Sequence, residues 1–197
     1  MNVVTHYDKL IEENNDPFRA PPILQEYMNK WDGQVFIDAM CLLSNTAKIL
    51  EIGVGTGRVA AKVGPYCSKF YGIDISPKTI ERASENLSGL KNIELICADF
   101  SSYMFVEMFD IIYSTLTSMH FEDKQKFISK ISALLKTTGR FMLSINKNQN
   151  EYINVGNRKL KNYPDDLNEI TDCINSTDMV IEEQFETEFA HIFICTK

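Results

Sequence analysis

The chain is poor in several residues on which specialised sites are built. In 197 residues it has one tryptophan and three histidines, and its five cysteines (Cys41, Cys67, Cys97, Cys173 and Cys195) stand singly, with no C-x-x-C pair. The odd, scattered count argues against a disulfide framework, and no metal site is expected. With no signal peptide either, the expectation is reduced thiols in a cytoplasmic protein. No apolar run approaches the length that spans a membrane, so no membrane partner is expected. Runs of lysine and arginine are absent too, and the net charge is −7 with a pI of about 5.0. That charge repels a phosphate backbone, which disfavours nucleic acid as a partner. Internal repeats and low-complexity segments are also missing.

What is present is ordinary for a globular protein, with 44% hydrophobic and 24% charged residues. The length suits one domain with a sizeable core and is short for two.

The chain is organised around residues 49–60, Ile49-Leu50-Glu51-Ile52-Gly53-Val54-Gly55-Thr56-Gly57-Arg58-Val59-Ala60. The branched apolar run reads as a short buried strand. Three alternating glycines follow, and Val59, Ala60 and Val63 resume as a helix. Glycine is needed where the backbone turns tightly and where a ligand approaches it closely. At the carboxyl end of a strand, a loop of this kind is a nucleotide site in open α/β sheets. The dinucleotide fingerprint G-x-G-x-x-G is met only at Gly53 and Gly55, because Arg58 stands at the third position and the extra glycine comes early, at Gly57.

Strands and helices alternate on either side of this loop. Before it, His6, Tyr7, Leu10 and Ile11 form a helical stripe that ends in Asn14-Asn15-Asp16-Pro17, and Ile23, Leu24, Tyr27, Met28 and Trp31 form a second. Asp32 is read as the N-cap of a further helix carrying Val35, Phe36, Ala39, Met40 and Leu43. Tyr7 and Trp31 are read as core-packing residues, weighed against contact with a ligand. After the loop, strands are expected over 69–75, 92–100, 109–114 and 140–146. One helix starts at Ser76-Pro77, and another carries Phe127, Ile128, Ile131, Leu134 and Leu135 and is closed by Gly139. Gly156-Asn157 signals a tight hairpin, so a small flap is expected over 147–163. Leu167, Ile170 and Ile174 mark a last helix. Strands over 179–185 and 189–196 are too close to be anything but antiparallel.

The set Glu51-x-Gly53-x-Gly55-x-Gly57, Asp74 and Asp99-Phe100 resembles the motifs of the class I S-adenosylmethionine (SAM)-dependent methyltransferases, over roughly residues 46–197. The resemblance implies an α/β fold: a three-layer sandwich with a mostly parallel seven-stranded sheet, a C-terminal antiparallel hairpin and an N-terminal helical lid. It implies one domain, with the lid over 1–45 and a SAM-binding core over 46–197. Glu51, Gly53, Gly55, Gly57, Asp74, Ile75, Asp99, Phe100 and Ser114 are then the expected cofactor contacts. Asp74 would accept from the ribose hydroxyls, Asp99 from the adenine amino group, and Phe100 would cover the ring. An acidic group near the loop suits a cofactor that carries a sulfonium and an ammonium.

The Asn/Asp-Pro-Pro-Tyr/Phe motif of amino-methylating nucleic-acid and glutamine enzymes is absent, and Ser114-Thr115-Leu116-Thr117 stands in its place. Acidic charge and small size favour a small-molecule acceptor over nucleic acid, with a protein side chain as the other candidate acceptor and oligomeric state open. His120 is the candidate general base, weighed against simple packing beside the cofactor. Asn146, Asn148 and Asn150 are candidate hydrogen-bonding groups for a polar acceptor. A SAM- or nucleotide-binding module without catalysis is the alternative, and a nicotinamide-dependent oxidoreductase is weakened by Arg58 and the terminal hairpin.

Overall fold

Strand β1 (Lys48–Ile52) is apolar at Ile49, Leu50 and Ile52, and it is buried on both faces. A strand buried on both faces belongs inside a parallel sheet covered by helices on each side. The computed structural model describes residues 1–41 and 45–197; for residues 29, 33–37 and 39–41 it describes the backbone course only.

Strands β2 (Lys69–Asp74), β3 (Ile93–Cys97), β4 (Phe109–Thr115) and β5 (Leu135–Asn146) run parallel to β1. Strands β8 (Val180–Glu186) and β9 (Ala190–Thr196) close the sheet antiparallel. The seven strands lie in the order β3-β2-β1-β4-β5-β9-β8. The chain therefore leaves β1 to one side for β2 and β3, then crosses to the other side for β4. This reversal opens a crevice at the carboxyl ends of β1 and β4.

Alternation along the strands sends Leu50, Ile112 and Leu143 into one core layer, with Phe127 and Ile131 of α5 (Lys124–Leu134) and Ile170 of α6 (Leu167–Asn175). Ile49, Ile111 and Met142 enter the opposite layer, with Ala60 of the short α3 (Ala60–Val63) and Ala83 of α4 (Pro77–Asn86). The three-layer sandwich expected from the sequence is the fold observed. Ser76 caps α4 as read, its side chain accepting from Thr79 N–H. The Gly156-Asn157 turn joins β6 (Tyr152–Val155) to β7 (Arg158–Lys161) as a two-stranded flap.

Two element boundaries differ from the sequence reading. Asp32 is no N-cap: α2 runs unbroken from Pro22 to Cys41, and Asp32 lies inside it, ion-paired with Arg58. The side chains of Val35, Phe36, Ala39 and Met40, and all of Leu43, lie outside the described residues. Gly139 does not close α5 either. That helix stops at Leu134 and β5 begins at once, while Thr138 takes the positive φ of 67°. Gly139 is instead a close approach, where a Cβ would sit 2.8 Å from Lys136 O.

Lys124 opens α5 with its side chain only 2% exposed. Its ammonium meets Asp165 Oδ1 at 2.6 Å and donates to the carbonyls of Ser118 and Tyr163 at 2.7 and 2.8 Å. One buried cation thus ties the turn after β4, the start of α5 and the chain leaving the flap. Removing one member of such a pair strands the other without solvation, at about 3–5 kcal/mol. Lys124→Met should therefore lower the thermal midpoint by roughly 6–20 °C. Lys124→Met/Asp165→Leu should recover most of that loss, and thermal unfolding of the two variants checks it.

Candidate active site

At the crevice, the backbone turns through Gly53, Gly55 and Gly57 at φ of 76°, 54° and 91°. The turn is pinned to the neighbouring strand: Gly53 and Val54 N–H donate to Ile73 O at 2.8 and 3.1 Å, and Gly55 N–H donates to Asp74 Oδ2 at 3.1 Å. The three glycines do different work. A Cβ on Gly53 would strike Thr117, and one on Gly57 would strike Leu87, whereas one on Gly55 meets nothing within 4 Å. Only Gly55 opens onto empty space.

That space is a cavity of about 690 Å³, bordered by Glu51, Gly53, Gly55, Asp74, Ile75, Asp99 and Phe100 of the expected set, and by His120. Gly57 and Ser114 are not part of its wall. Gly57 packs against α4, and Ser114 is fully buried between β1 and β4, its hydroxyl donating to Ile52 O at 3.2 Å. Ser114 is paired with Ile52 and shares its face, but its hydroxyl is spent on that neighbour's carbonyl and it does not reach the cavity.

The carboxylates differ in setting. Glu51 is 2% exposed and accepts from Tyr113 O–H at 2.9 Å; burial pushes its pKa up to about 8. Asp74 accepts from Ser76 N–H at 3.0 Å as well as from Gly55, and burial raises its pKa against those bonds. With Ile75 N–H as a third backbone partner, the carboxylate's four lone-pair directions still leave one for a ligand hydroxyl. Asp99 is exposed at the rim, with Oδ1 accepting from Ser101 N–H at 2.8 Å. Phe100 is only 4% exposed and packs edge-on to Phe127. Arg58 borders the loop with its charge paired to Asp32.

Several wall residues were not legible as such. For Tyr7, read as core against ligand contact, the second reading fits: it lines the cavity, and its hydroxyl lies 2.7 Å from His120 Nε2. His6 is buried, its ring 5.2 Å from that of Tyr7. Val3, Pro17 and Met28 of the N-terminal segment, Leu116, Thr117 and Met119 of the turn after β4, and Tyr163 complete that side. Leu116 holds φ at 54°, an unusual backbone for a leucine and of the kind that clusters at working sites. Trp31 packs on Tyr27 and Phe189, as expected of a core residue. Asn146 and Asn148 spend their side-chain oxygens on the N–H groups of Asn148 and Asn150.

A family profile described as a methyltransferase domain matches residues 50–143. Over that stretch, just under half of its length, the chain is similar to the class I SAM-dependent methyltransferases. An uncharacterised methyltransferase of Anoxybacillus flavithermus is 28% identical over 170 residues, covering 83% of this chain and 78% of the relative. Uncharacterised methyltransferase YcgJ of Bacillus subtilis is 31% identical over 99 residues, 49% of this chain and 39% of its own length. The matches to the first curated relatives thus span less than two-fifths of their lengths. The N-methyltransferase NodS of Bradyrhizobium japonicum, solved with S-adenosylhomocysteine (SAH), superposes with a TM-score of 0.72 at 18% identity, over 97% of both chains. At that identity the likeness shows the fold.

The cofactor of that family fits the residues of this site. The opening at Gly55 is a cradle that a Cβ would fill, and acidic groups border it for a cationic ligand. Gly55→Val should abolish SAM binding in calorimetry while costing only about 1–2 kcal/mol of stability from left-handed strain. Gly57→Val should cost more stability, because Leu87 blocks it. A second expectation follows from Glu51. With its pKa near 8, it is mostly protonated at neutral pH, and a cation that binds only the ionised form must displace that proton. SAM affinity should therefore rise about fifty-fold from pH 6 to pH 8. Glu51→Gln should flatten that rise, and calorimetry across this range checks both.

Proposed function

We propose that this chain is a SAM-dependent methyltransferase acting on a small-molecule acceptor. The observation that carries it is the single cavity that opens at Gly55 and continues beneath Tyr7, Met119, His120 and Tyr163. Its volume of about 690 Å³ lies within the range of small-ligand sites. The net charge of −7 disfavours a nucleic-acid acceptor.

When bound, the cofactor supplies a methyl group already activated by its sulfonium. The chain then has to hold two reactants in line and exclude water. On this reading Glu51 takes the cofactor's ammonium, Asp74 a hydroxyl of its ribose, and Asp99 with Phe100 its base. Arg58 Nη1, buried without a hydrogen-bond partner beside the loop, is a donor for its carboxylate. Tyr7 and His120 form the polar part of the acceptor half.

His120 suits orientation better than proton storage. Burial lowers its pKa to about 4, and His6 and Lys124 on neighbouring elements oppose a positive charge there. Among the described residues the only group bonded to its ring is the Tyr7 phenol, with Nδ1 buried and unpartnered, so an imidazolium would bury an N–H with no acceptor. The neutral form thus persists above its lowered pKa. At saturating SAM, kcat should be flat from pH 6 to 8, whereas a midpoint near 6.5 would show an ordinary imidazole taking the proton.

The reading itself is tested by calorimetry and by radiolabelled methyl transfer to metabolite pools. SAM and SAH are expected to bind at micromolar order, about −8 kcal/mol, with label appearing in a small product. Tighter binding of NAD than of SAM would overturn the assignment, and SAM binding without transfer would leave a binding module.

A further inference from the structure

Resting on the methyltransferase reading, we infer that the acceptor binds as an uncharged molecule that offers one polar atom to the Tyr7 hydroxyl, which makes Tyr7 a specificity-determining residue. The acceptor half of the cavity is built from apolar or neutral side chains: Val3, Tyr7, Met28, Leu116, Met119 and Tyr163. Every ionic group on the cavity wall is engaged or lies elsewhere. Arg58 is paired with Asp32 at the glycine loop. The Lys130 ammonium donates to the carbonyls of Phe100, Ser101 and Tyr103. Glu51, Asp74 and Asp99 stand at the strand ends on the cofactor side, while Glu122, Asp123 and Lys126 are exposed at the outer rim beyond Phe121.

Among the described residues of the cavity wall, an acceptor bearing a carboxylate or phosphate would meet no cation under Tyr7, since the Lys161 ammonium stands over the Tyr163 ring outside that wall, and an ammonium would meet only the Asp74 charge, which reaches Tyr7 from the cofactor side. Desolvating an unpaired ion is far costlier than desolvating a neutral group, so the site discriminates by what it lacks. The Tyr7–His120 pair does not supply the missing charge. Burial drives the phenol up, with the Asp74 charge adding to it, and drives the imidazole down.

One hydrogen bond remains to be made. Tyr7 Oη spends one direction on His120 Nε2, at 2.7 Å. If the phenol donates to the ring, its oxygen still accepts; if the ring donates, its O–H is free to donate. In either arrangement the second direction fits a hydroxyl, amide or free-base nitrogen. The His120 ring is itself held by the turn that Lys124 anchors through Ser118 O, so the pair presents a preset polar spot on an apolar wall.

The test uses the full chain loaded with SAH and three probes of one shape, p-cresol, 4-methylbenzoate and 4-methylbenzylammonium. Binding is read from the methyl resonances of Met28 and Met119. The neutral probe is expected to shift both, with each ion at least about tenfold weaker. Tyr7→Phe should remove the preference for p-cresol over toluene while SAH affinity stays unchanged. An ion binding as tightly as p-cresol, no probe shifting these methyls, or a Tyr7→Phe protein that keeps the preference would overturn the inference. Failure of SAH to bind the unaltered chain would instead remove the methyltransferase reading. SAH binding with an ion preference removes only the uncharged acceptor.

Discussion

Strand β1 is the constraint on which the rest depends. It is paired on both edges, by β2 and by β4, and buried on both faces, so its direction and register are held from four sides. Its carboxyl end therefore emerges at a fixed point, and there the chain turns on three alternating glycines. The N–H groups of Gly53, Val54 and Gly55 are drawn onto Ile73 O and Asp74, which couples the loop to β2 as well. The ligand crevice follows from the reversal of strand order at the same place.

Around that point the protein concentrates groups that are costly to bury. Glu51 and Asp74 are carboxylates in low-dielectric surroundings, Asp32 and Arg58 are an internal ion pair, and Lys124 with Asp165 is another. The two pairs have a shared geometric consequence. Arg58 joins α2 to the glycine loop, and Lys124 joins the turn carrying His120 to the chain below the flap. The flap tip is tied in turn to the end of α1 (Val3–Glu12), where Arg158 meets the C-cap Glu13 at 2.8 and 2.6 Å. Segments distant in sequence thus form one wall because buried charges have few ways to be satisfied.

The elements of the core were legible because their signals are local and redundant. Two-faced apolar runs, the Ser76-Pro77 start and the Gly156-Asn157 turn each have one favourable backbone solution. The readings that failed rest on residues with more than one use. Gly139 was taken as a helix end, yet a glycine serves equally where two backbones approach. Asp32 was taken as a cap, yet an aspartate in mid-helix is stable once Arg58 neutralises it. Ser114 sits on the right strand but is fully buried against Ile52, to whose carbonyl its hydroxyl donates, and local sequence does not state such burial.

The sequence by itself determined the alternation of strands and helices, the glycine loop and the acids that follow each strand, because these depend on periodicity and backbone freedom within a few residues. Only the tertiary structure decided which glycine faces open space, that Glu51 is buried deeply enough to hold its proton, and that Tyr7 stands against His120. Those outcomes depend on contacts between residues as far apart as α1 and the turn after β4. Burial, and with it charge state, is a property of the whole fold.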